Sequence, residues 1–219
     1  MLKFLRLIIP GFMILVVILT IENKDLLELS KELEGIDLSK KGFLFYIIPI
    51  VLGAMYYAVG LRNLFFRKPI NIIQKNIRDR LISEFDNDSA ISPYSARLKE
   101  NKKMIQVFYR FVDSNPSLTE KSNNVRANGV ILSSFADACV ISILAFVLYS
   151  ALCIFLFRYY YLLLLLLSVI IFLSSYFLFL PNMTKTHLDY SNSQIDFIIT
   201  NLHDDLRTAI EKLIKIDYA

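Results

Sequence analysis

YYYLLLLLLSVIIFLSSYFLFL, residues Tyr159–Leu180, holds no ionisable side chain other than tyrosine. A helix needs about 20 apolar residues to cross ~30 Å of hydrocarbon. Lipid offers the backbone no hydrogen-bond partner, so a run of this kind is expected to be helical. Three more runs have similar length: Leu2–Ile21, Gly42–Leu61 and Val130–Phe157. They predict an all-α protein with four transmembrane helices, amphipathic cytoplasmic helices and a heptad-patterned C-terminal helix.

The runs divide the chain of 219 residues. Residues 1–61 form a first transmembrane hairpin with a short external helix over 22–41. Residues 62–129 form a basic cytoplasmic helical segment, 130–180 a second transmembrane hairpin, and 181–219 a cytoplasmic amphipathic or coiled-coil tail. The middle segment is too small for a sizeable independent core.

Charge sets the expected orientation. Segment 62–129 carries 13 Lys/Arg against 7 Asp/Glu, whereas 22–41 carries 4 against 6. Basic residues are retained on the cytoplasmic side. Both termini and 62–129 are therefore expected on the cytoplasmic side of the membrane, with the lipid bilayer as the first partner. The basic segment suits anionic head groups. Its cations are mixed with acids and apolar residues, so direct contact with nucleic acid is not expected. Lys3 and Arg6 precede the first run, and no A-x-A-like cleavage pattern follows it. It reads as an uncleaved signal anchor. Cys139 and Cys153 lie ~21 Å apart on one helix and cannot bridge.

Several local features refine this plan. Pro10-Gly11 weakens the first helix. Gly53, Ala54, Ala58 and Gly60 offer small-residue membrane packing, with a second copy or within the chain. Pro69 suits the first turn of a new helix carrying Ile70, Ile73, Ile77, Leu81 and Phe85 at helical spacing. Another helix is expected over about 95–112, with Leu98, Ile105, Phe108 and Val112 on one face. Ser117-Leu-Thr-Glu120 reads as a capping box. It opens a helix that either runs into the third apolar run or breaks at Gly129. Pro181 is expected to end the fourth. In the tail, Leu188, Asn192, Ile195, Ile199, Leu202, Leu206 and Leu213 form a heptad seam. It joins copies of the chain in one reading and packs on the chain's own helices in the other.

Candidate chemistry is sparse. Asp137 is the acidic residue within the apolar runs, and such charges face a bundle interior or water. Ser134, Asp137 and Ser142 form a candidate pore stripe. Alternatively Asp137 lies at the interface and pairs with Arg126 or Lys121. His187 and His203 point ~160° apart on one helix and cannot share a metal; they read as surface residues. The six glycines build no phosphate-binding loop. No catalytic, cofactor or metal site is expected, and the chain reads as non-enzymatic.

This plan of four apolar runs, a basic segment between the second and third, and a long tail helix resembles small membrane effectors of bacterial anti-phage defence. Retron-type transmembrane effectors and the membrane subunit of Kiwa-type systems are similar to it in plan. The resemblance implies an oligomeric effector or sensor, a soluble cytoplasmic protein partner, and membrane damage on triggering. It transfers no residue. A non-enzymatic accessory subunit of a larger membrane complex and an immunity-type membrane protein are the alternatives. A small transporter fits less well, because the halves show no repeat.

Overall fold

The computed structural model describes residues 2–22, 42–156 and 158–217, and all their regular structure is helical. The external helix expected over 22–41 lies outside the described residues. The elements are α1 (Leu2–Glu22), α2 (Gly42–Val59), α3 (Asn63–Ser83), a 3₁₀ turn (Ser92–Tyr94), α4 (Ser95–Glu100), α5 (Lys103–Ser114), α6 (Pro116–Leu156), α7 (Tyr159–Leu173), a π-helical turn (Ser174–Phe179), α8 (Leu180–Asn201) and α9 (His203–Asp217). Three helical runs are long and apolar enough to cross a membrane: α1, α6, and Tyr159–Asn201. Residues 47–59 of α2 and helix α3 pass the same test together, although bent by 70° at the break between them.

The chain forms two compact units. Unit 1 comprises Met1–Arg67 and Val130–Pro181; unit 2 comprises Lys68–Gly129 and Asn182–Ala219. The middle segment expected to begin at 62 gives its first residues to unit 1. The reason is side-chain chemistry: Arg62 is bonded to Asp137, and the Phe65 ring packs edge-on against Phe172 and Tyr176.

Unit 1 is built around the crossing of α1 and α2. A Cβ on Gly11 would lie 1.8 Å from the Pro49 carbonyl oxygen, and one on Gly53 would lie 1.9 Å from that of Leu7. The two glycines let the backbones touch, the close approach that small residues permit in apolar helices. Of the four small residues expected to pack, Gly53 alone does so in this way. Ala54 and Ala58 are exposed. Gly60 takes φ +71°, in the left-handed region that favours glycine, and turns the chain between α2 and α3. Tyr149 and Tyr161 are buried with Ala145 and Leu164 in an apolar cluster, and the Tyr149 hydroxyl lies 2.7 Å from that of Thr20.

Unit 2 buries the apolar stripes the sequence predicts. Ile73, Ile77, Leu81, Leu98, Phe108 and Val112 are all buried; in the tail Ile195 and Leu206 of the expected seam are buried, together with Ile198 and Ile210 outside it. Side-chain amides redraw the expected helix ends. The helix expected over 95–112 is divided at Asn101, whose backbone is extended and whose side-chain oxygen accepts the Lys103 N–H. Short polar side chains compete in this way with the helix ladder. Asn115, not Ser117, caps α6: its side-chain oxygen accepts the Ser117 N–H, and Pro116 takes the first helical position. Helix α6 is then continuous through Gly129 for 41 residues.

Two prolines also lie elsewhere than expected. Pro69 sits inside α3, because the Gly60 turn lets that helix start at Asn63. Pro181 lies within α8 and does not end the run. The Leu180 N–H donates to the Ser175 carbonyl, five residues back. That wider turn relieves the clash a helical proline makes with the preceding turn.

Candidate functional site

The site starts from a missing donor. Pro10 has no N–H, so the Arg6 carbonyl, four residues back in α1, lacks its helical partner. Arg62 Nη2 donates to that carbonyl at 2.7 Å. Arg62 stands just past the Gly60 turn, which carries it from α2 back toward α1 and α6.

The same guanidinium grips Asp137 on α6. Nε donates to Oδ1 and Nη2 to Oδ2, each at 2.7 Å. The Tyr56 hydroxyl donates to Oδ1 at 3.0 Å. The Tyr57 ring lies against the guanidinium, 5.2 Å from Cζ to the ring centroid. Arg62 is 8% exposed and Asp137 is 1% exposed. Among the residues of unit 1 whose side chains are described, Asp137 carries the sole carboxylate. This forked pairing, with both carboxylate oxygens satisfied, is the geometry that makes an ion pair tolerable out of water. It joins α1, α2 and α6 in one clasp.

The structure does not bring the candidate pore stripe to one lumen. Both oxygens of Asp137 are held by Arg62 and Tyr56. The Ser134 hydroxyl donates to the Val130 carbonyl. Ser142 lines a separate, largely apolar cavity of about 270 Å³ with Thr20, Tyr149 and Ser168. Asp137 pairs with neither Arg126 nor Lys121. Arg126 donates to Asp113, and the Lys121 ammonium lies over the Phe197 ring.

The tail seam is used within the chain. Ile195, Leu206 and Leu213 are buried, while Leu188, Ile199 and Leu202 are half-buried. Asn192, read as a register-fixing residue, accepts a hydrogen bond from Asn76 Nδ2 at 2.8 Å. The seam also breaks at Leu202, between α8 and α9. In α8 the residues buried from 184 onward are Thr184, His187, Ser191, Gln194, Ile195 and Ile198, more polar than a coiled-coil seam. His187 is thus no surface residue; its Nδ1 lies 3.3 Å from Asn128 Nδ2. His203 is half-exposed and tilted over Phe85.

Sequence reasoning singled out Asp137 but missed Arg62, Tyr56 and the Arg6 carbonyl. Pro10 was the available signal, since a proline inside a helix frees a carbonyl at a known position. Among the described residues, no group of three or more His, Cys, Asp or Glu is placed to hold a metal ion. The chain matches no family model, no curated protein and no solved structure.

Proposed function

We propose that the chain is a non-enzymatic, four-span protein of the bacterial inner membrane that works as a triggered membrane effector. Unit 2 and both termini are cytoplasmic in this reading, in keeping with the basic excess of segment 62–129. The observation that carries it is the Arg62–Asp137 clasp within the apolar unit. An ionisable pair inside a membrane bundle points to function. Replacing such a pair by apolar residues is often neutral or stabilising, so packing alone does not call for it.

The clasp made is the sealed state. The clasp broken leaves two charges that draw water between α1, α2 and α6, and the membrane leaks. Helix α6 supplies Asp137 to unit 1 and residues 116–129 to unit 2, and a soluble protein partner that binds unit 2 is the trigger in this reading. Copies associate through α2, where Val51, Ala54, Met55 and Ala58 are exposed. The small pair, four residues apart, admits a second helix closely. The resemblance in plan to anti-phage effectors gives the reading its biological setting.

A potential-sensitive dye in expressing cells tests the seal. Arg62→Ala and Asp137→Ala should each depolarise untriggered cells. The double variant Arg62→Met with Asp137→Leu should restore the potential. Full potential in both single variants, inserted at the wild-type level, defeats the effector reading. A reporter that places residue 100 outside the cytoplasm defeats the topology. The exposed face of α2 also suits a helix of a different subunit, the accessory-protein reading. Native electrophoresis separates the two, since a self-associated effector contains this chain alone.

A further inference from the structure

Beside the clasp lies a cavity of about 200 Å³, lined by Arg6, Tyr57, Gly60, Arg62, Asn63, Phe66 and Ser133. Two guanidiniums line it, and Asp137 neutralises one of them. Arg6 has no ion pair among the described residues, and its Nε is buried without a hydrogen-bond partner. Arg62 spends Nε and Nη2 on Asp137 and the Arg6 carbonyl, which leaves Nη1 unused among the described residues. Ser133 gives its proton to the Val130 carbonyl. The cavity therefore presents donors and an excess of positive charge in an otherwise apolar unit.

Arg6 itself is half-buried, but a guanidinium donor sealed from water without an acceptor is unfavourable. A negative ligand with several oxygens removes that imbalance. Guanidinium forks match phosphate oxygens in shape as well as in charge. The volume exceeds that of several waters, at ~30 Å³ each, and so admits a tetrahedral phosphate. We infer that this cavity binds a phosphate group between Arg6, Arg62 Nη1 and the Asn63 amide. The phosphate comes from an anionic phospholipid head group or from a soluble phosphate. The lipid source rests on the membrane reading above; the phosphate chemistry does not.

The test uses the purified full chain in detergent, stripped of lipid, with thermal stability as the readout. Phosphatidylglycerol, phosphatidylcholine and inorganic phosphate are titrated separately. A rise in midpoint with phosphatidylglycerol but not phosphatidylcholine assigns the lipid head group. A rise with inorganic phosphate assigns the soluble source. In either case Arg6→Gln should raise the half-saturating concentration about tenfold or more, as loss of a charge-assisted contact does. Asn63→Asp, at an exposed position on the cavity rim, should do the same by repulsion and guards against a misfolded Arg6 variant. Equal responses to both lipids with none to phosphate, or unchanged half-saturation in both variants, overturns the site. The readout involves no leakage, so a chain that selects phosphatidylglycerol yet never depolarises cells would retire the effector reading and leave this one standing.

Discussion

Unit 1 and unit 2 both contain Arg–Asp pairs with short contacts, and they put them to opposite uses. In unit 1 the pair is sealed from solvent and reinforced by Tyr56 and the Arg6 carbonyl. In unit 2 the pairs lie at the surface: Arg80–Asp196 at 2.6 Å, with side chains 38% and 60% exposed, and Arg126–Asp113 at 3.1 Å, with 52% and 62%. Distance barely distinguishes these pairs, so environment must. Water screens and competes for the surface pairs, whereas a lost partner in the clasp leaves the other as a buried, uncompensated charge.

Removing one side of the clasp is the harshest way to break that contrast. Arg62→Ala or Asp137→Ala should destabilise the protein by about 3–5 kcal/mol, because the survivor is a buried unpaired charge. Thermal unfolding in detergent measures it, and the Arg62→Met, Asp137→Leu double variant should recover most of the loss. Next comes Gly53→Ala. Its Cβ would meet the Leu7 carbonyl at 1.9 Å, so α1 and α2 must separate at a cost of ~3 kcal/mol. The same assay reads it, and Leu64→Ala, at an exposed position, serves as the contrast.

Acid should act on unit 2 through two surface carboxylates. Lys103 and Asn101 hold Asp217 below the ordinary carboxylate range. The Ala90 N–H, then Arg207, do the same for Asp88. A lowered native value means stabilisation that is complete above the unfolded pKa near 4. It is lost as pH falls through the lowered native value. Both residues tie α9 to the loops it packs on. Hydrogen exchange should therefore show α9 protection falling below about pH 4, with Asp217→Asn and Asp88→Asn flattening the profile. Smallest of all, Arg80→Ala should change stability by ~0–1 kcal/mol, with any loss fading in high salt. A surface variant as damaging as Arg62→Ala would erase the distinction between the units.

Much of the fold was legible because periodicity is local. The apolar runs, the Ile73–Ile77–Leu81 stripe and the Leu98–Phe108–Val112 face all follow from spacing. So did Asp137, a charge standing out against an apolar background. Its partner was not legible. Arg62 lies 75 residues away in sequence and read as the first cation of a basic loop. The pairing depends on the Gly60 turn and the Gly11–Gly53 crossing, which no single helix encodes. The ends misread at Ser117 and across 95–112 share one cause. Asn115 and Asn101 offered the backbone side-chain partners that an apolar count ignores. The tail is a different case: a heptad pattern says that a face is buried, not which molecule buries it, and both readings of it stood open.

The π-helical turn at Ser174–Phe179 has a consequence for the faces around it. Tyr161, Leu164 and Ser168 are buried at steps of three and four, and Ser175 falls on the same line. The next buried residue is Leu180, a step of five. One surplus residue in a helix rotates everything after it by ~100°. The turn thus works as an angular spacer. A sequence one residue shorter there would swing Pro181 and the start of α8 onto another side of the helix, with no change in composition to betray it.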